Sequence, residues 1–99
     1  MATLHLLSHS PFSDSRLSSC LRLLAADDGV LLMGDAVYAL QPDTTQRQAL
    51  ELMPASIPLY ALAEDLQARA VALPGRAQAI DYPAFVELCA RYAKVNSWL

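Results

Sequence analysis

The stretch VLLMGD at residues 30–35 decides the fold of this 99-residue chain. Its four apolar residues follow one another without polar residues between them, which is typical of a strand covered on both faces in a parallel sheet. The stretch TLHLL at residues 3–7 is a second short apolar run. Together they predict buried strands near the start and in the first half of the chain.

Helical patterns separate these runs. Four residues lie at the i, i+3, i+4 and i+7 spacing of one helix face: Leu17, Cys20, Leu21 and Leu24. Asp28-Gly29 then predicts the end of this helix. A second helix is predicted to start at Pro42-Asp43, with Gln46 as a capping-box partner, and to be limited by Pro54.

The second half of the chain alternates in the same way. Residues 57–62 and 77–80 are predicted strands, and residues 64–72 a predicted helix closed by Pro74-Gly75. Asp81 and Pro83 are predicted to open a last helix. Its apolar stripe contains Phe85, Leu88, Cys89 and Tyr92.

This alternation predicts an α/β fold with three layers, in which a small, mainly parallel sheet of four strands carries helices on both faces. We expect one domain over residues 1–99, because no linker, repeat or low-complexity segment interrupts the pattern.

The composition predicts a partner surface. Only 17% of the residues are charged and 55% are apolar, whereas about 25% of the residues are charged in an average soluble domain. A small domain buries a smaller share of its surface than a large one. We therefore expect a subunit whose apolar surface is covered by a partner, and a homo-oligomer is one way to cover it when the chain is isolated.

The same composition excludes several classes. The net charge of −3, with seven scattered basic residues, argues against direct nucleic-acid binding. No apolar run approaches the ~20 residues of a membrane span, and no targeting segment precedes the first run. We expect a soluble cytoplasmic protein in which Cys20 and Cys89 stay reduced.

The sequence predicts neither a cofactor nor a metal site. It contains no Gly-rich phosphate loop, dinucleotide fingerprint or zinc-protease motif. His5 and His9 would lie roughly 13 Å apart on one strand, too far to share a metal ion. The serines around the first helix are expected to form caps and turns. Trp98 is either a core residue or an interface anchor.

Two groups of residues suggest chemistry. Asp35, Asp65 and Asp81 follow predicted strands, so they could form a magnesium or phosphate site of a signalling module, or simply cap helices. Cys20 is the candidate catalytic residue, because a thiolate near a helix start is nucleophilic. Its place on an apolar stripe equally suits a small buried side chain.

Short signatures occur in order along essentially the whole chain. They are LHLL at 4–7, Ser10-Pro11, VLL at 30–32, DAVYA at 35–39, LYAL at 59–62, Asp65-Leu66, Ala68-Arg69, IDY at 80–82, Phe85-Val86 and Trp98-Leu99. This series resembles the TusB/DsrH family. The resemblance implies a DsrE-like fold and the B or H subunit of a hetero-hexamer, built from two copies each of three related chains.

The resemblance also implies a sulfur relay. In the Tus branch, persulfide sulfur passes from a cysteine desulfurase and a small carrier toward 2-thiouridine at the tRNA wobble position; the Dsr branch serves dissimilatory sulfur oxidation. The partners implied are two paralogous sister subunits, TusC/TusD-like or DsrF/DsrE-like, one of which carries the main sulfur-binding cysteine, and persulfide carrier proteins.

The resemblance gives Cys20 two possible roles. Dsr-type H chains carry a cysteine at the place of Cys20, whereas Tus-type B chains often do not. The chain is therefore expected to be a non-catalytic or weakly catalytic subunit of a sulfurtransferase complex, with Cys20 as a persulfide carrier in the alternative interpretation.

Overall fold

The computed structural model describes residues 2–98 as five strands, four α-helices and one 3₁₀ helix. Met1 and Leu99, the last residue of the family-like series, lie outside the described residues. In chain order the elements are β1 (Thr3–Leu7), α1 (Arg16–Arg22), β2 (Gly29–Leu32), a 3₁₀ helix (Gly34–Leu40), α2 (Thr45–Glu51), β3 (Leu59–Leu62), α3 (Ala63–Ala68), β4 (Ala77–Ile80), α4 (Tyr82–Arg91) and β5 (Lys94–Trp98).

The strands form one sheet in the order β4-β3-β2-β1-β5, and every neighbouring pair is parallel. The predicted α/β class with a parallel sheet is therefore confirmed. The predicted number of four strands is wrong, because β5 pairs with β1 from Thr3 opposite Lys94 to Leu7 opposite Trp98. This strand, KVNSW, is mostly polar and exposed at a sheet edge, and no Gly or Pro separates it from α4.

Helices cover both faces of the sheet, as predicted, but unequally. On one face the strands pack against α1, the 3₁₀ helix, α2 and α3, through residues such as Leu17, Val37 and Leu50. On the other face the described strands pack against α4 alone, where Leu88 meets Leu4 and Leu31. A chain that leaves the sheet at the β4 edge and returns at the β5 edge must cross the whole sheet, and α4 makes that crossing.

Several helix ends differ from the predicted ones for local reasons. Thr44, not Asp43, caps α2, since the Thr44 hydroxyl accepts a hydrogen bond from the Arg47 amide at 3.2 Å; Asp43 has a left-handed backbone, with φ of 63°. The first helix ends at Arg22, with Leu23 as its C-cap. The third ends at Ala68, shortly before Ala70 turns left-handed with φ of 52°.

The serines before α1 form turns more than caps. The Ser10 hydroxyl accepts from the Phe12 amide at 3.3 Å, and the Ser13 hydroxyl donates to the Ser10 carbonyl at 3.1 Å. Ser15 occupies the N-cap position of α1 without a side-chain hydrogen bond to the helix. By contrast, Asp81 caps α4 as predicted, accepting from the Ala84 amide at 2.9 Å.

The glycine at the start of β2 leaves room for a side chain that follows α4. A Cβ atom on Gly29 would overlap the hydroxyl of Tyr92, which follows α4, and would lie 3.4 Å from Leu4 Cδ1. Burial, reinforced by the neighbouring Tyr60 hydroxyl, raises the pKa of Tyr92 to about 12, so this hydroxyl stays neutral. The close approach of Tyr92 to Gly29 is therefore one of the contacts between the end of α4 and the sheet.

We expect Gly29→Ala to lower the free energy of unfolding by about 1–3 kcal/mol, because the added methyl group overpacks this contact. Urea denaturation measures the change. Gly75→Ala is the matched control, since no atom lies within 4 Å of its Cβ position. Adding Tyr92→Leu should recover part of the loss. Equal unfolding midpoints for Gly29→Ala and Gly75→Ala would show that the contact with Tyr92 does not restrict this position.

Candidate functional site

Cys20, the candidate catalytic residue, lies in the second turn of α1 and is fully buried. It belongs to the larger of the two core clusters, together with Leu17 and with Val30 of β2. Leu21 and Leu24 pack against the same cluster, so the predicted apolar stripe is confirmed although Leu24 lies outside the helix. The thiol is therefore placed as a core side chain.

The surroundings of Cys20 oppose formation of a thiolate. Burial, reinforced by the negative charge of Asp28, raises the pKa of the Cys20 thiol to about 12. A nucleophilic cysteine needs the opposite environment, with a positive charge or a helix N-terminus beside a partly exposed sulfur. Within this chain, Cys20 is protonated at physiological pH.

A buried polar network that the sequence analysis missed lies on the same side of the sheet. His5 of β1 and Asp28 are both buried, and His5 Nε2 lies 2.9 Å from Asp28 Oδ2. The indole Nε1–H of Trp98 donates to His5 Nδ1 at 3.1 Å. Because an indole can only donate, Nδ1 is the accepting nitrogen and the Nε2–H of neutral His5 donates to Asp28. Trp98 is partly buried and is held against the core by this hydrogen bond as well as by packing.

The carboxylate of Asp28 accepts hydrogen bonds from other groups besides His5. Its carboxylate also accepts from the backbone amides of Thr3 and Ala25, each at 3.0 Å. Burial raises the pKa of Asp28, but the hydrogen bonds from Ala25, His5 and Thr3 outweigh it, so the pKa lies below its usual value. The sequence pattern indicated only that Asp28 ends a helix. It could not show the hydrogen bonds to His5 and Thr3, because these residues lie 23 and 25 positions away in the chain.

The three carboxylates that suggested a magnesium or phosphate site have structural partners instead. Asp65 accepts from the Gly34 amide at 2.8 Å, and Arg69 bonds both Asp35, at 3.0 Å, and Asp65, at 3.4 Å. Asp81 caps α4. Across residues 2–98, no group of three or more His, Cys, Asp or Glu side chains is arranged to hold a metal ion.

The second cysteine offers no better nucleophile. Cys89 of α4 is half-buried, and burial raises the pKa of its thiol. Neither cysteine forms a disulfide. Between residues 2 and 98, no helix is long and apolar enough to cross a membrane.

We expect Asp28→Asn to lower the free energy of unfolding by about 1–3 kcal/mol at pH 7, because an amide cannot accept all of the hydrogen bonds that the carboxylate accepts. The folded-state pKa of Asp28 is depressed, so its stabilisation is present above the unfolded-state pKa of about 4 and is lost as the pH falls through the folded-state value.

Urea unfolding at a series of pH values, followed by the fluorescence of Trp98, measures this effect. The difference between wild type and Asp28→Asn should shrink toward pH 3. The exposed neighbour gives the control Asp27→Asn, which should leave the pH profile unchanged. A difference that stays constant from pH 7 to pH 3 would contradict the ionised role of Asp28.

We expect the Cys20 thiol to react with Ellman's reagent at pH 8 at least about 100-fold more slowly in the folded chain than in urea, because it is buried and protonated. The variant Cys89→Ala isolates the reaction of Cys20, and Cys20→Ala isolates that of Cys89. Comparable reaction rates of Cys20 in the folded and unfolded chain would show that the fold opens readily around this side chain in solution.

Comparisons with known proteins agree with this architecture. The family model described as DsrH like protein matches residues 9–95. Protein TusB of Erwinia tasmaniensis is 41% identical over 97 residues, covering 96% of this chain and 99% of that protein. Protein TusB of Yersinia pestis is 34% identical with the same coverage.

A solved structure shows the same fold. The crystal structure of the ychN protein from E. coli superposes with a TM-score of 0.81, at 20% sequence identity, over 98% of this chain and 99% of that one. At this identity the likeness concerns the fold alone. The match of the family model over most of the chain, with relatives above 30% identity over nearly its full length, establishes that the chain belongs to the DsrH-like protein family.

Proposed function

We propose that this chain is a subunit of a heteromeric sulfur-relay complex that serves 2-thiolation of the tRNA wobble uridine in the cytoplasm. The observation that carries the proposal is the 41% identity to a Protein TusB over nearly the full length of both chains. The relay is the activity that the resemblance to the TusB/DsrH family implies.

The partners we propose are two paralogous sister subunits, TusC- and TusD-like, and through them the persulfide carrier proteins. Exposed apolar side chains support a role in binding other proteins: Phe12, Leu23, Leu52, Val86 and Val95 are all at least 43% exposed. The charge balance, with seven basic and ten acidic residues, leaves contact with the tRNA to other proteins of the pathway.

In this proposal the chain positions the relay and does not carry sulfur. The burial of Cys20 and its raised pKa support that division. The alternative, a Dsr-type subunit in sulfur oxidation, makes Cys20 a persulfide acceptor. Its thiolate would then attack the outer sulfur of a donor persulfide, break the donor S–S bond and release the donor as a thiolate, leaving a persulfide on Cys20 without net oxidation.

We expect a tagged copy of the chain, expressed at its native level, to co-purify with two small paralogous subunits, and its deletion to abolish most 2-thiouridine in tRNA. Mass spectrometry identifies the subunits and liquid chromatography of nucleosides measures the 2-thiouridine. Recovery of no paralogous subunit together with unchanged 2-thiouridine would overturn the proposal.

Cys20→Ser tests the role of the thiol within the complex. We expect full 2-thiouridine in cells that carry this variant, because the hydroxyl fills a similar volume while the thiol is not used. Complementation with the wild-type gene is the control. Loss of 2-thiouridine with an intact complex, together with one added sulfur on wild-type Cys20 after incubation with a persulfide donor, would establish Cys20 as a carrier.

A further inference from the structure

His5 is a buried histidine that uses both of its ring nitrogens inside the fold. Only 6% of its surface is exposed. Its Nε2 lies 2.9 Å from Asp28 Oδ2, and its Nδ1 lies 3.1 Å from the indole nitrogen of Trp98. An indole can only donate and an ionised carboxylate can only accept. Both hydrogen bonds therefore form together only when His5 is neutral, with its proton on Nε2.

A second proton on His5 affects the two partners in opposite ways. It must bind to Nδ1, because Nε2 already carries a proton. The Nδ1–H and the indole N–H of Trp98 are then two donors that point at each other, so this hydrogen bond is lost. On the other side of the ring, the hydrogen bond from Nε2–H to Asp28 becomes charge-assisted and stronger. Protonation therefore tightens the contact with Asp28 and breaks the contact with Trp98.

The indole ring does not compensate with a cation–π contact. The centroids of the His5 and Trp98 rings are 6.2 Å apart and the ring planes are tilted by 39°, and the indole meets His5 with its N–H edge. The edge of an aromatic ring is positive and its face is negative, so a cation is attracted to the face. A protonated His5 is therefore repelled by the part of Trp98 that it contacts.

Asp28 is the charged group that decides how His5 responds. Between residues 2 and 98, His5 has no other ion-pair partner. Burial raises the pKa of Asp28, but its hydrogen bonds outweigh burial, so Asp28 stays ionised at mildly acidic pH. The other titratable side chains on elements next to His5 are Arg16, Cys20 and Arg22 of α1, Lys94 of β5, and Tyr92 after α4. Arg16 is paired with Asp14, and Lys94 is exposed.

Trp98 is the side chain that anchors the end of β5. The other four residues of this strand are exposed, whereas Trp98 is half-buried and packs against the larger core cluster. Because β5 lies at the edge of the sheet, it pairs with β1 alone. The end of the strand is thus held by its backbone pairing with β1 and by an indole whose polar atom is bound by His5.

We propose that His5 is a pH-sensitive latch for β5. In its neutral form, His5 holds Trp98 against the core. When His5 takes up a proton, Trp98 and the end of β5 leave the sheet edge, and water replaces the indole at Nδ1. Asp28 meanwhile keeps β1 and the α1–β2 connection together.

The latch responds to mild acidification, since histidine side chains ordinarily change charge between about pH 5 and 8. Release of β5 leaves the backbone groups along one edge of β1 unpaired, and such an edge is open to pairing with another strand. The latch concerns the conformation of a single chain, so it goes beyond the proposed function and does not rest on it.

NMR spectroscopy of the ¹⁵N-labelled full-length chain between pH 7.5 and pH 5 tests the latch. We expect the ring nitrogens of His5 to show the Nε2–H form at pH 7.5. As His5 takes up its second proton, the indole N–H signal of Trp98 should move to the position of an indole in water. With the same midpoint, the protection of the β5 amides against hydrogen exchange should fall at least about tenfold. The protection of the β2 amides should stay unchanged, because Asp28 keeps its partners.

Three variants separate the latch from a general sensitivity to acid. In His5→Gln, the side-chain amide can accept from Trp98 and donate to Asp28 but takes up no proton, so the protection of β5 should be equal at pH 7.5 and pH 5. Trp98→Phe lacks the indole donor and should show low protection of β5 at both pH values. His9→Gln replaces the exposed histidine and is the matched control, which should respond as the wild type does.

Four results would overturn the latch: a His5 that carries its proton on Nδ1 at pH 7.5, a His5 that stays neutral down to pH 5, a β5 whose protection stays constant while His5 titrates, or a loss of protection in β2 together with β5. The wild-type titration yields each of them, so the test stands even if a variant fails to fold. None of them bears on the sulfur-relay proposal, which is tested by co-purification with the sister subunits.

Discussion

The buried carboxylate of Asp28 is the constraint on which the rest of the structure depends. It accepts hydrogen bonds from the first residue of β1, Thr3, from the turn after α1 at Ala25, and from His5 in the middle of β1. His5 in turn accepts from Trp98 at the end of β5. A buried charge is tolerated only when such partners replace water. One carboxylate therefore joins β1, the α1–β2 connection and, through His5, the edge strand β5.

The position of β5 accounts for the asymmetry of the two sheet faces. The last strand pairs with β1 along its whole length, at the opposite edge from β4, and the hydrogen bond from Trp98 to His5 adds to this pairing. Only one connection, α4, crosses the second face, whereas four helical elements share the first. A single ten-residue helix cannot cover five strands, so apolar surface remains around it. The partner surface that the low charge content predicts is thus a consequence of where the final strand pairs.

The parts of the fold that depend on local pattern were predictable from sequence. The bounds of β4, the Asp81 cap and the buried runs of β1 and β2 all follow from residues close together in the chain. The features that could not be predicted depend on residues that are far apart in the chain. The bond between His5 and Trp98 joins residues 93 positions apart, and β5 is a strand only because β1 is available to pair with it. The burial of Cys20 was predictable from its stripe, but the effect of Asp28 on its pKa was not.

The charge of Asp28 has two opposite effects: it stabilises the fold through hydrogen bonds, and it opposes ionisation of the Cys20 thiol. Persulfide chemistry needs a thiolate at Cys20, and the negative charge of Asp28 adds to burial in opposing that ionisation. Removing the charge would relieve only the smaller of the two effects, because burial contributes more than Asp28 to the raised pKa of Cys20. It would also cost the hydrogen bonds that hold β1 and, through His5, β5. A fold that buries Cys20 and keeps Asp28 ionised therefore keeps the Cys20 thiol protonated. We therefore place the sulfur-carrying step of the proposed complex on a sister subunit, and this chain contributes a sheet with an apolar face.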